Sequence, residues 1–212
     1  MLEALYNKLE SFRGNITEPL ARKLICEKEK ECGVSFPEDL VDFYLYFGND
    51  KRMLSAYYEF DKIDDIEVED GALQFGYKHQ KNGRLGIILD EIGSRLQSVS
   101  WCPYGEEEWF VEGMYSKSFF FNIACWQVLN TMPSMVRVHI SEKKFDELVS
   151  KHFHYFSDEK IYMKGYKIRS IYSGEILGCY AKLDEELYLG TWKGDEVLEQ
   201  CEKKIKLDFD WL

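Results

Sequence analysis

The first fifty residues carry apolar side chains at the spacing of helices. One stripe predicts a first helix that Gly14 closes, and it comprises Leu2, Leu5, Tyr6, Leu9 and Phe12. A second helix is predicted to begin at Thr17, Glu18 and Pro19 and to end at Cys32-Gly33. Two helices are therefore expected before any strand.

Residues 32–50, CGVSFPEDLVDFYLYFGND, predict a third and short helix. Ser35 and Glu38 have the spacing of a capping box, and Gly48 stands where a left-handed residue often follows a helix. The apolar face consists of Leu40, Phe43, Tyr44 and Phe47. This periodicity favours a core helix over an aromatic box that binds a ligand.

After Asp50 the apolar period shortens from about four residues to two, which is typical of strands. Short strands are predicted at 54–60, 73–77, 85–89, 99–102 and 109–111. Asn82-Gly83 lies between two of them and is the strongest common signal for a tight hairpin. Consecutive strands with turn-like links predict antiparallel pairing.

An uncharged stretch of 19 residues, 118–136, follows these strands. Its length is close to the ~20 residues of a membrane span. Asn122, Gln127, Asn130 and Pro133 argue against a span and favour a buried helix over 118–130 that ends before the proline. The N-terminus lacks the apolar core of a secretory signal, so we expect a cytoplasmic protein without a membrane association.

The chain from residue 140 onward predicts a smaller unit. A helix is expected over 142–153, followed by strands at 166–172, 176–183 and 187–192, a helix from Gly194-Asp195 and a final strand near Trp211. The expected fold class is α+β, with an antiparallel sheet flanked by the N-terminal helices and a further helix, and a smaller β-rich C-terminal extension. We place the domain boundary between 1–132 and 133–212 and expect the two parts to pack together.

Charge limits the range of partners. The chain has 27 basic and 38 acidic residues, which gives a formal net charge of −11. Nucleic acid is disfavoured as a ligand because it is held mainly by Lys and Arg against phosphates. Basic proteins would instead be attracted over long range.

The cysteines and histidines give only weak signals for chemistry. Six cysteines without a C-x-x-C pair indicate reduced thiols, and the spacing of Cys26 and Cys32 does not suit zinc. His152 and His154 would share one face of a strand, whereas His79 and His139 are isolated. Glu107-Glu108 has little specificity as an acid–base pair, and no Gly-rich phosphate motif occurs. We therefore expect no cofactor, no metal and no catalytic activity.

Residues 32–40, with Phe43, Phe47 and Gly48-Asn49, follow the pattern "small-Gly-x-x-Leu-Pro-x-x-Leu … Phe … Asn-Gly", although here Gly precedes Asn. This segment resembles one of the SUKH superfamily. Residues 82–89 resemble its central hairpin. Its closing pattern is matched by Val99-Ser100-Trp101-Cys102, Glu107-Glu108-Trp109, Ser118-Phe119 and Leu129.

The resemblance covers roughly residues 1–132, and the chain from Pro133 has no counterpart in the shortest members. It implies helices around an antiparallel sheet, no catalysis, and function by protein binding. The superfamily includes fungal cell-wall synthesis regulators and many bacterial immunity proteins, which neutralise toxins delivered by neighbouring cells. The partner that it implies is a toxin domain, often a nuclease or a deaminase.

Two acidic clusters are the candidate binding site for a basic toxin. The first extends from Glu59 to Asp70, and the second consists of Glu106, Glu107, Glu108 and Glu112 around Trp109. Acidic side chains would steer association, and aromatic side chains would anchor it. The predicted contact residues are Asp64, Asp65, Glu67, Glu69, Asp70, Trp101, Tyr104, Glu106, Glu107, Glu108 and Trp109.

Three alternatives to this interface stay open. The charge runs could only solvate loops and protect sheet edges. The protein could be a regulatory or scaffold module that binds a host factor. It could also be a hydrolase that uses carboxylates or the pair of His152 and His154, with a bound metal.

Overall fold

The computed structural model describes residues 2–13, 18–94, 97–113, 115–156, 161–163 and 166–212. Within these ranges seven α-helices and two antiparallel sheets form an α+β fold, which confirms the expected fold class. The helices are α1 (Leu2–Arg13), α2 (Arg22–Cys32), α3 (Glu38–Phe47), α4 (Lys51–Ser55), α5 (Ser116–Leu129), α6 (Glu142–His152) and α7 (Asp195–Ile205).

The first sheet, sheet A, comes from the middle of the chain. Its strands are β1 (Glu59–Phe60), β2 (Glu67–Glu69), β3 (Ala72–Tyr77), β4 (Gly83–Ile88), β5 (Val99–Pro103) and β6 (Phe110–Gly113). Their order is β1-β3-β4-β5-β6, and β2 pairs with β3 beside β1. Leu73 lies opposite Ile87 in the β3–β4 pair, and both are fully buried. The period-two pattern thus identifies the core face of this sheet correctly.

The second sheet, sheet B, comes from the C-terminal part. Its strands are β7 (Ser134–His139), β8 (His154–Tyr155), β9 (Ile161–Met163), β10 (Tyr166–Ser173), β11 (Ile176–Ala181), β12 (Glu186–Thr191) and β13 (Asp210–Trp211). Their order is β13-β7-β12-β11-β10-β8, with β9 also on β10. Helices α6 and α7 cover one face of this sheet through Phe145, Leu148 and Leu198.

Helix α5 lies between the two halves. It contacts α3 and α4 on one side and β10, β11 and β12 on the other. Since both sides of α5 are covered, the helix is apolar around most of its circumference. Phe119, Ile123 and Leu129 are all fully buried. The predicted buried helix before Pro133 is therefore confirmed. No helix in the described ranges is long and apolar enough to cross a lipid bilayer.

The aromatic face of α3 forms part of the core, as predicted. The ring of Phe43 contacts those of Tyr44, Phe60 and Phe120, with centroids 4.6 to 5.7 Å away. The hydroxyl of Tyr44 donates to the carbonyl of Asp61 at 2.8 Å, and burial raises the pKa of this phenol. Phe43, Tyr44 and Phe47 thus hold the helices on sheet A and do not form a ligand box.

Local predictions at the ends of the first helices were wrong in three places. Helix α2 begins at Arg22, not at residues 17–19. Thr17, and also Gly14 of the predicted end of the first helix, lie outside the described residues. The N-cap of α3 is Pro37 without a side-chain cap, so Ser35 forms no capping box. The backbone of Gly48 has the right-handed helical conformation, with φ −64°. Gly33, after α2, has the left-handed conformation instead.

One strand prediction and one turn prediction also need correction. Residues 54–60 contain the end of α4 and only a two-residue strand, because Asp50 caps α4 by accepting a hydrogen bond from the Arg52 amide at 3.0 Å. The β3–β4 connection is not a tight turn at Asn82-Gly83. A 3-10 turn at His79–Lys81 forms it, with Gln80 and Lys81 at positive φ, and Gly83 already belongs to β4.

The domain boundary after residue 132 stays a prediction. Sheet B does begin at Ser134, directly after the turn that follows α5. However, the core around α3 and α5 includes Ile168, Leu177 and Cys179 of sheet B. The two parts share this core.

Candidate functional site: an acidic face and an aromatic pocket

Sheet A has one face on the core and one face away from it. In the β4–β5 pair Leu85 lies opposite Trp101, and Gly86 lies opposite Ser100. Neighbouring residues of a strand point to opposite faces, so Trp101 is on the side of the buried Leu85. The ring of Trp109 covers Gly86, since a Cβ there would lie 3.1 Å from it. Trp101 and Trp109 are therefore on opposite faces, so a single flat surface cannot use both as anchors, and the contact role of Trp101 stays a prediction.

Glu112 is also misplaced in the predicted second cluster. It is 8% exposed in β6 and accepts a hydrogen bond from the hydroxyl of Tyr58 at 2.6 Å. Its other oxygen accepts from Lys78 Nζ at 2.8 Å, and the same ammonium lies 4.0 Å from the ring centre of Trp101. Glu112 thus belongs to an internal ion pair on the core side.

The other predicted contact residues lie at the surface. Asp64 and Asp65 occupy a 3-10 turn at Ile63–Asp65. Glu67 and Glu69 are in β2, and Asp70 is in the turn after it. We call the following set, which also contains the loop between β5 and β6 and the half-buried Trp109, the acidic face: Asp64, Asp65, Glu67, Glu69, Asp70, Tyr104, Glu106, Glu107, Glu108 and Trp109.

One carboxylate from each acidic segment lies near Cys102. Burial raises the pKa of this thiol, and the carboxylates of Asp70 and Glu106 raise it further. The thiol also donates to the carbonyl of Glu106 at 3.2 Å. Residues that are 36 positions apart in the sequence therefore lie within electrostatic range of one side chain.

Arg84 organises the first segment, and sequence reasoning missed it. Its Nη2 donates to Glu67 at 2.8 Å, its Nε donates to Gln74 at 2.6 Å, and its Nη1 lies 3.6 Å from Asp61. The guanidinium carbon is 4.5 Å from the ring centre of Tyr77. Arg84 thus compensates the carboxylates at the inner edge of the acidic face.

The remaining carboxylates of the acidic face have no such compensation. Asp64, Asp65, Glu69, Asp70 and Glu106–Glu108 are exposed. None of them forms an ion pair with a basic side chain in the part of the chain that the structure describes. Their negative field is therefore available to a cationic partner.

A second feature is a pocket of about 390 Å³ where α5 meets the two sheets. Its aromatic wall consists of Tyr57, Trp126 and Tyr188, and Ile123, Met135 and Ile168 contribute apolar surface. The pair of Lys78 and Glu112 lies on its polar side, and Asn82, Asn130 and Asp184 also line it. A mainly apolar cleft with a few converging polar groups is typical of ligand sites.

The pocket and the acidic face are neighbours. The carbonyl of Asn82, a pocket residue, accepts from the amide of Tyr104 at 3.4 Å, and Tyr104 is 58% exposed on the acidic face. The pocket could not be predicted from the sequence, because its lining comes from separate segments that only the fold brings together.

His152 and His154 do not form the pair on one strand face that a metal site would use. His152 ends α6 and His154 begins β8, so the two do not share one strand face. His139 is exposed and lies 4.0 Å from Glu185. In the described ranges no three His, Cys, Asp or Glu side chains lie close enough together to hold a metal ion.

Comparison with known proteins adds no relative. No protein-family model, no curated protein and no solved structure matches the chain.

Proposed function

We propose that the protein is a non-enzymatic binding module whose acidic face docks on a basic protein, most simply a toxin domain that it neutralises. The observation that carries the proposal is that Asp70 and Glu106, exposed carboxylates without an ion pair in the described residues and from different segments, both lie near Cys102. Tyr104, at 58% exposure, and Trp109 lie in the same region and offer apolar contact area. Aromatic anchors within a charged surface are typical of protein interfaces.

The immunity role rests on the resemblance to the SUKH superfamily in residues 32–49 and 82–129. In that role, the acidic face would speed association with a basic toxin and occlude a surface that the toxin needs for its substrate. We further propose a cytoplasmic location. Cys26, Cys32, Cys102, Cys125, Cys179 and Cys201 are all free thiols, as is usual in a reducing compartment.

The test uses two variants that remove equal charge. The acidic-face variant carries Glu106→Gln, Glu107→Gln and Glu108→Gln. The control carries Glu147→Gln, Glu196→Gln and Glu199→Gln, which are exposed on α6 and α7. Immobilised wild-type protein and both variants are incubated with lysate of the native host and of a related strain, and bound proteins are eluted with rising salt.

We expect a basic protein that the wild type and the control retain and that the acidic-face variant binds at least about tenfold more weakly at low salt. Co-expression then tests neutralisation: the captured protein should arrest growth alone and should not do so with the wild type. Equal binding by both variants would remove Glu106–Glu108 from the interface. A captured housekeeping protein that causes no arrest would favour the regulatory alternative.

A further inference from the structure

The aromatic wall of the pocket is continuous. The rings of Tyr57 and Trp126 are nearly parallel, with an interplanar angle of 21° and centroids 5.9 Å apart. The ring of Tyr188 meets Trp126 edge to face, with centroids 5.0 Å apart. Part of the wall is accessible to solvent, since Tyr57 is 37% exposed and Trp126 is only partly buried.

The polar side of the pocket offers hydrogen-bond acceptors and carries a net negative charge. Lys78 and Glu112 neutralise one another, and Lys78 is held over Trp101. Asp184 adds an exposed carboxylate that pairs with no basic side chain in the described ranges. Asn130 donates its amide to the carbonyl of Trp126 at 2.8 Å, so its side-chain oxygen is left to accept.

From these contacts we infer that the pocket binds a guanidinium group. A planar cation can stack on Trp126 and Tyr57, because the faces of aromatic rings attract positive charge. Its several N–H donors match the carboxylate of Asp184 and the side-chain oxygen of Asn130. An ammonium group presents no flat face to the rings. An anion would be repelled by the carboxylate of Asp184, and the ammonium group of Lys78 is already paired with Glu112.

The size of the pocket fits this class of ligand. A volume of about 390 Å³ lies at the lower end of the ~300–1,000 Å³ that is usual for small-molecule sites. It can hold an arginine side chain of a protein or a free alkylguanidinium compound. The inference is independent of the acidic face, although Asn82 and Tyr104 join the two surfaces.

The experiment compares N-acetyl-arginine methylamide with N-acetyl-citrulline methylamide, which has nearly the same shape and no charge. Binding is followed by ¹⁵N NMR of the indole N–H groups. The chain has five tryptophans, and a Trp126→Phe variant assigns the signal of Trp126. Asp184→Asn tests the carboxylate on the polar side of the pocket. Asp208→Asn is the control, because Asp208 is exposed elsewhere and has the same charge.

We expect the arginine compound to shift the Trp126 signal saturably and to bind at least about fivefold more tightly than the citrulline compound. Asp184→Asn should weaken binding about threefold or more, and Asp208→Asn should not. Equal binding of both compounds, or no saturable shift of Trp126 up to about 50 mM, would overturn the inference.

Two further probes distinguish the sources of the guanidinium. If the pocket serves a free compound, agmatine will bind more tightly than the peptide Gly-Gly-Arg-Gly-Gly. If it serves a side chain of a protein partner, the peptide will bind at least as tightly as agmatine. The variant with Glu106, Glu107 and Glu108 changed to Gln should keep its guanidinium binding in either case, which separates this result from that of the proposed interface.

Discussion

The side-chain amide of Gln127 is hydrogen-bonded to both backbone groups of Tyr58. Its oxygen accepts from the Tyr58 amide at 3.0 Å, and its nitrogen donates to the Tyr58 carbonyl at 2.8 Å. The same amide also accepts from Tyr57 N–H and donates to the Met53 carbonyl. Gln127 is fully buried and uses its whole hydrogen-bonding capacity to fix the link between α4 and β1, which carries part of the pocket wall.

Gln127→Ala should therefore be strongly destabilising. The change leaves two backbone donors, of which that of Tyr58 is buried, and two buried acceptors without their partner, and it also opens a cavity beside Tyr58. We expect a loss of about 3–5 kcal/mol in the free energy of unfolding, measured by urea denaturation. A loss below about 1 kcal/mol would show that other contacts hold this link.

Asn122 on the same helix is the matched comparison. It too is fully buried, yet neither its amide oxygen nor its nitrogen has a hydrogen-bond partner in the described part of the chain. Asn122→Ala removes an unpaired polar group and raises helix propensity, while it loses some packing. We expect a change within about 1 kcal/mol of the wild type in the same urea experiment. A loss as large as that of Gln127→Ala would contradict this account.

Arg84 should matter more for stability than a surface arginine does. Its side chain is 16% exposed, and Arg84→Met leaves the largely buried carboxylate of Asp61 and the exposed carboxylate of Glu67 without this cation. We expect a loss of about 2–4 kcal/mol in unfolding free energy. Arg137→Met is the control: Arg137 is 40% exposed between Glu186 and Asp210, and it should lose less than about 1 kcal/mol.

The raised pKa of Asp61 predicts that its contribution to folding stability changes with pH in the opposite direction to that of most carboxylates. Burial raises its pKa to about 6 despite Arg84, and Asp65 and Glu67 raise it as well. The folded state thus keeps a proton that the unfolded state releases near pH 4, so this residue lowers stability as pH rises from about 4 through 6.

Asp61→Asn should therefore gain stability relative to the wild type as pH rises from 4 to 7. Allowing for solvent at this partly exposed group, we expect the difference in unfolding free energy to change by on the order of 1 kcal/mol. Urea denaturation of both proteins at pH 4, 5, 6 and 7 measures it. A constant difference across this range would argue against a raised pKa.

Period-two patterns predicted the central strands well because burial of one face decides which residues alternate. Leu73 and Phe75 in β3 and Leu85 and Ile87 in β4 illustrate this. The pattern failed at residues 54–60, where Met53, Leu54 and Tyr58 are buried in a helix and a bend. There the side chain of Asp50 caps α4 and so determines the local structure. Apolar spacing alone cannot predict such a cap.

The candidate site was only partly predictable. Exposed carboxylates were identified from composition, since unpaired charge stays at the surface. The orientation of Trp101 and the burial of Glu112 depend on strand register and on a shift between Val99 and Ser100, which the sequence does not display. The role of Arg84 and the pocket at Trp126 depend on residues far apart in the chain.

The position of α5 between the sheets has a consequence for how such a chain can diversify. Sheet B packs its inner face on the same helix that completes the core of sheet A. Recombination at residue 132 would therefore separate apolar surfaces that pack on each other, and the C-terminal segment would lose the helix that covers the inner face of sheet B. Substitution is least restricted in the exposed loop from Tyr104 to Glu108, where side chains can change without repacking the core.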